Sequence, residues 1–243
     1  MEFIKRITSL VLAFLLVMSF STIQASAAKR YEGDELANAD VGDVVVFGAY
    51  EQDDNEFNGK EPIEWIVLEK QDGKLLVVSK YALAAKRYNT RSTNITWADC
   101  SLREWLNETF LEEAFSETEQ DQIPTVSVSA DKNPNYKKRD PGVKAKDQIF
   151  LLSVKEVKRY FGSNASRQCK PTAYARAQGC YVKAGCCWWW TRTPGDRGIK
   201  AAAIKNNGDI NYKGYTVHCG GTAEDHSLGG VRPAMWIEIS DLE

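Results

Sequence analysis

Short apolar runs bounded by turn residues read as strands between Val41 and Ser79, and several segments between Ser101 and Gly179 carry apolar residues at helical spacing. Val41–Tyr50 reads as a first strand running into a turn. "EPIEWIVLEK" and "KLLVVSK" follow as two strands about Asp72-Gly73, a strong hairpin pair. Ile63, Trp65 and Val67 share one face of the first, and Ile66 and Leu68 the other, so this hairpin is expected to be covered on both sides.

The helical stretch opens on Ser101 with Glu104 three residues later, a predicted capping box, with Leu102, Trp105, Leu106 and Phe110 on one face. Ser116 with Glu119 predicts a short helix that stops before Pro124. "QIFLLS" reads as a buried strand, and Ser153 with Glu156 predicts a third capped helix facing inward through Val154, Val157 and Phe161. "PTAYARAQG" predicts a fourth, with Pro171 in its first turn and Gly179 past its end. Strands return with "WWWTRT", then "IKAAAIK" and "DINYKGYTV" about Asn207-Gly208, then "VRPAMWIEI". The polar stretch Ser129–Asp147 reads as a surface insertion. A hairpin, three to four short helices and a run of C-terminal antiparallel strands make an α+β domain.

The N-terminus changes the picture of where such a domain works. Lys5 and Arg6 precede an apolar run from Leu10 to Met18, then Ala25-Ser26-Ala27, the pattern of a secretory leader cleaved after Ala27. Nine apolar residues are too few for a membrane span, which needs about 18 or more. No cysteine follows the run for lipid attachment, and "WIEISDLE" has no apolar tail. The expected organisation is a signal peptide at 1–27, an N-terminal arm at 28–40 and one domain at 41–243. The expected product is secreted, with no membrane insertion after cleavage.

The net charge is −2, and about −3 without the leader, which argues against a nucleic-acid partner. Six cysteines (Cys100, Cys169, Cys180, Cys186, Cys187 and Cys219) are compatible with disulfides in an exported chain. Cys186 and Cys187 are adjacent and poorly placed to bond each other; a bond from one of them to Cys169 or Cys180 is expected instead.

Three consecutive tryptophans stand in "GCCWWWTRTPG", Gly185–Gly195. Strand alternation puts Trp188, Trp190 and Arg192 on one face and Trp189, Thr191 and Thr193 on the other. The small residues Ala201–Ala203 suit a neighbouring strand beneath bulky indoles. One reading buries all three rings. The other opens the Trp188–Trp190–Arg192 face as a binding platform, since indoles stack on sugar rings and a guanidinium supplies forked hydrogen bonds, with Tyr212, Tyr215 and His218 extending it. Trp65, Trp105, Trp189, Pro194, Gly195, Arg232, Pro233 and Trp236 are expected to be structural, Arg232 by tying loop carbonyls together.

Catalytic signals are sparse. A cysteine nucleophile would need His218 or His226 as base, and His218 beside Cys219 is adjacent without facing it. No zinc spacing occurs, and "EQDDNE" (Glu51–Glu56) lacks the glycine of a calcium loop, so neither metal nor cofactor is expected. No phosphate-cradling loop or spaced carboxylate pair stands out.

"FGAYEQDDNEFNGKEPIEWIVLE", "TWADCSLREWLN", "CKPTAYARAQG", "WWWTRTPG" and "GGVRPAMWIEI" together resemble a large group of bacterial domains of unknown function, from about Val41 to Ile239. The C-terminal half also resembles the C-type-lectin-like fold shared with formylglycine-generating enzymes, which implies a binding scaffold with a loop-rich face. The lectins' Glu-Pro-Asn and Trp-Asn-Asp calcium motifs are absent. So is the enzymes' redox cysteine pair; the nearest spacing, Cys180 and Cys186, has five intervening residues. The reading that follows is a non-catalytic binding module for a cell-surface or extracellular glycan or similar ligand. Its rivals are an extracellular enzyme using Cys219, Cys186 or Cys187, and a protein-interaction or display domain presenting the loop Asn211–Gly230 to a protein partner.

Overall fold

The computed structural model describes residues 29–218 and 228–239, and mixes short helices with a larger share of strand. The expected leader, Cys219, His226 and most of the loop before Leu228 lie outside the described residues. A six-stranded sheet runs in the order Arg30–Glu32, Val44–Tyr50, Glu61–Gln71, Lys74–Ser79, Ala234–Glu238, Ile149–Phe150. The segment read as an arm therefore supplies an edge strand, parallel to Val44–Tyr50. Asp72, at a φ of 50°, and Gly73 make the tight turn between the third and fourth strands. Their coverage differs: Lys74–Ser79 is buried on both faces from Leu75 onward, whereas Glu64 and Ile66 keep partial exposure.

A five-stranded sheet runs Ile210–Thr216, Lys200–Ile204, Trp189–Pro194, Gly229–Val231, Ala84–Lys86. Trp189 lies opposite Ile204 and Trp190 opposite Ala203, so the small-residue strand does flank the indoles. The two sheets are tied where the chain passes from Gly229–Val231 in one to Ala234–Glu238 in the other, around Arg232 and Pro233.

Two predicted capping boxes form, at Ser116 with Glu119 and at Ser153 with Glu156. The first does not. Cys100 occupies the cap position with no side-chain bond, and the Ser101 hydroxyl instead accepts the Thr90 N–H at 3.0 Å. That helix also widens into a π turn over Leu106–Phe110, a form that needs a local reason. Asn107 is in that turn: its amide donates to the carbonyls of Arg103 and Ile149 and accepts the N–H groups of Gln148 and Ile149, pinning the short edge strand to the helix. Further along, Thr172 caps the helix Ala173–Ala177, which leaves Pro171 just before the helix rather than in its first turn. A fifth short helix, Asn164–Arg167, capped by Ser163, was not signalled by any apolar periodicity.

The insertion Ser129–Asp147 is less superficial than its composition suggests. Asn133 is fully buried, and its amide donates to the carbonyls of Pro194 and Tyr212, each at 2.8 Å. Asp147 is also buried, accepting from Trp97 Nε1 and Arg103 Nε.

Candidate functional site

The tryptophan run is core. Trp188 keeps 3% of its surface, and Trp189 and Trp190 none, so the open face expected of Trp188, Trp190 and Arg192 does not exist. Alternation itself holds: Trp188 and Trp190 meet edge to face at 4.7 Å on one side, while Trp189 packs against Phe161 on the other. Both sides are covered. Tyr88 and Tyr215 close over the first pair, and the Trp190 and Trp189 N–H groups donate to the carbonyls of Lys86 and Arg167. Gly229 permits this closure, because a Cβ there would sit 2.3 Å from the Trp188 ring.

Arg192 is likewise spent on the fold. Its guanidinium donates to the Ser129 and Leu151 carbonyls and to both oxygens of Glu156, with Phe150 beneath it. Arg232 donates Nε to the Ser79 carbonyl at 2.9 Å and lies 5.1 Å from the rings of both Phe161 and Trp189. Its Nη1 is buried without a partner.

The remaining residues of the expected platform do not converge on an open face with the indoles. Tyr212, Tyr215 and His218 are partly exposed, but Tyr215 packs on Trp188 at 4.4 Å. Among the expected structural residues, Trp65 is buried with its N–H on the Phe47 carbonyl, Gly195 bonds back to Lys200, and the Pro233 carbonyl accepts from Ser79. Trp236 is half-buried and lines a hollow beside Arg192.

An open cleft of about 520 Å³ lies elsewhere, built from four separated pieces of chain. The strand Ala84–Lys86 brings Lys86 and Arg87. The helix start brings Ser101, Leu102 and Trp105. The end of the helix Ala173–Ala177 brings Gln178 and Gly179, and Thr90 and Leu228 complete the wall. Trp105, expected to be purely structural from its helical spacing, is only partly buried, and the Lys86 ammonium rests 4.3 Å from its ring centroid. Burial lowers the Lys86 pKa below its ordinary 10.5, partly offset by Glu113. Gln178 accepts the Ala85 N–H through its carbonyl oxygen, and among the described residues nothing accepts from its two amide N–H donors.

Nothing in the local sequence pointed to Lys86 or Gln178. A three-residue strand has no readable periodicity, and the glutamine is one of several polar residues at a helix end.

All five described cysteines are thiols and all are buried. Burial pushes the Cys100 thiol up to about 12, beside Tyr88. Cys169 and Cys187 face each other as a β-bridge, with the Cys187 N–H on the Cys169 carbonyl at 2.8 Å. The carboxylates of Glu51, Asp53 and Glu61 lie within 4.8 Å of one another; Glu51 and Asp53 accept backbone N–H groups of their own turn, and Glu61, on the neighbouring strand, accepts those of Gln52 and Asp53. Among the described residues no helix is long and apolar enough to cross a membrane.

No curated protein and no solved structure matches the chain. A family model described as "Domain of unknown function (DUF6273)" matches residues 72–239, a span that takes in the hairpin turn, the last three strands of the first sheet, the whole second sheet with the tryptophan run and every described wall of the cleft, and the chain belongs to that family.

Proposed function

We propose that the protein is a secreted, non-catalytic binding module whose ligand is an acidic extracellular glycan held in the cleft of Lys86, Arg87, Trp105 and Gln178. The observation that carries this reading is the cleft's chemistry. Two cations stand at its edge, one of them held on an indole, and among the described residues no Asp, Glu, His or Cys lines it. A carboxylated sugar meets positive charge there, offset only in part by Glu113 beside Lys86. Thr90, Ser101 and Gln178 offer donors and acceptors for sugar hydroxyls. Glycoside hydrolysis, by contrast, needs a pair of carboxyl groups flanking the bond. The leader pattern at Met1–Ala27 supports the extracellular setting. The C-type-lectin-like reading of the C-terminal half rests on the resemblance of its strand motifs.

The test is a titration of the purified protein with polygalacturonate, with neutral dextran as control, following tryptophan emission and heat of binding. Saturable binding of the polyuronate, weakened by salt and lost in Lys86→Met and Gln178→Ala proteins that remain folded, is the expected result. Equal behaviour of the two polymers, or unaltered binding in both variants, would overturn it.

A further inference from the structure

Three of the buried thiols form a connected set. The Cys187 thiol donates to the Cys169 carbonyl at 3.5 Å on one side, and on the other its sulfur packs against Gly230, two residues beyond Leu228, the bridge partner of Cys180. Cys169 and Cys187 are directly opposed across an antiparallel bridge, where Cα atoms stand about 5.5 Å apart, inside the range a disulfide spans. Cys180 is the outermost of the three, and its chain neighbour Gly179 and bridge partner Leu228 both line the cleft.

Two further features suit exchange rather than a permanent crosslink. Arg232 is a buried cation whose Nη1 has no partner, stacked on Phe161 and Trp189 and close enough to act on Cys169. Burial by itself would raise the Cys169 pKa, but the hydrogen bond from Cys187 and the charge of Arg232 override it and hold the thiol below its ordinary value. Cys187 itself rides on a hairpin of two residues per strand, Val182–Lys183 with Cys186–Cys187. The exposed tip of that hairpin puts Ala184 at a φ of 54°, a conformation that suits glycine, so the segment opens more easily than the core beneath it.

We propose that Cys169, Cys187 and Cys180 form a disulfide-exchange site in which Cys187 is the shared sulfur, bonded to Cys169 when oxidised and reached through Cys180. The oxidant is a small disulfide such as oxidised glutathione. The Cys180 thiolate attacks one sulfur of the donor, forming a mixed disulfide and releasing the first donor thiol. Cys187 then attacks the Cys180 sulfur and releases the second donor thiol. Finally the Cys169 thiolate attacks Cys187, and Cys180 leaves as a thiol. Two protein thiols have lost two electrons and two protons, which the donor disulfide has gained.

The experiment incubates the purified chain with oxidised glutathione over a time course, quenches in acid, alkylates the unfolded protein and maps linked peptides by mass spectrometry. The expected product is a Cys169–Cys187 link with Cys180 alkylated. Cys180→Ser should slow its appearance at least tenfold without changing the end point, and Cys169→Ser should divert the link to Cys180–Cys187. A wild-type protein whose Cys187 stays fully alkylated, or bonds to Cys100, Cys180, Cys186 or Cys219 at equilibrium, would overturn the pairing. An unchanged rate in Cys180→Ser would overturn the relay. Mapping on the wild-type chain needs no variant to fold, and its outcome is independent of glycan binding.

Discussion

Arg192 grips both carboxylate oxygens of Glu156, at 2.6 and 2.7 Å, while one of the same two oxygens accepts the Ser153 N–H at the start of a helix. One carboxylate thus closes the helix cap and neutralises a guanidinium in the second strand layer. Next to it, the Thr193 hydroxyl accepts the Val154 N–H and donates to the Ala130 carbonyl. The strand that carries the tryptophans is fastened to the helix and to the insertion by consecutive side chains.

Because Arg192 is almost wholly buried, removing either member leaves an uncompensated charge. Glu156→Ala and Arg192→Ala should each lower unfolding free energy by about 3–5 kcal/mol. Urea unfolding checks this, and a double variant should cost less than the two singles added. Fully additive losses would mean that the pair does not act as a unit.

Trp190 and Trp105 should separate core from site. Trp190→Ala empties a fully buried position and should cost about 3–5 kcal/mol. Trp105→Ala, at a partly exposed position, should cost less stability yet weaken polyuronate binding by releasing Lys86. Thermal unfolding together with the polyuronate titration distinguishes the two; binding lost only with Trp190 would place the site elsewhere.

Gly229→Ala should be destabilising out of proportion to one methyl group, by about 1–3 kcal/mol, because the new carbon meets the Trp188 ring. Trp188→Leu in the same chain should recover part of the loss. No recovery in the thermal midpoint would argue that the strain lies in the backbone.

The lowered Lys86 pKa gives stability and binding opposite signs. Between that depressed value and 10.5 the unfolded chain holds more protons on this residue than the folded one, so its contribution to stability rises with pH. Over the same window the ammonium is lost and polyuronate affinity falls. The difference between wild type and Lys86→Met, measured for both quantities across alkaline pH, isolates the residue from other titrating groups. A wild-type affinity that tracks Lys86→Met at every pH would refute its role.

Much of the architecture was readable because its signals are local. Asp72-Gly73 specifies a hairpin, Ser116 and Ser153 specify helix starts, and the indoles demand a small-residue neighbour, which Ala203 supplies opposite Trp190. Ser101 carried the same cap signature, yet its hydroxyl was claimed by Thr90, a competition that no window around Ser101 reveals.

The site was harder to read. A period of two says that Trp188 and Trp189 point to opposite sides, not which side meets water. The covers come from Tyr88, Phe161, Tyr215 and Gly229, scattered along the chain. The cleft has the same character: Lys86, Trp105 and Gln178 become neighbours only through the tertiary fold.

The strand Ala234–Glu238 lies inside the first sheet, between Lys74–Ser79 and Ile149–Phe150, and the bond from Arg232 to Ser79 joins residues 153 positions apart. During synthesis the N-terminal hairpin therefore waits with an unsatisfied edge until almost the whole domain has emerged. Such distant pairing makes folding slow and late, and leaves the growing chain dependent on protection from edge-to-edge association in the meantime.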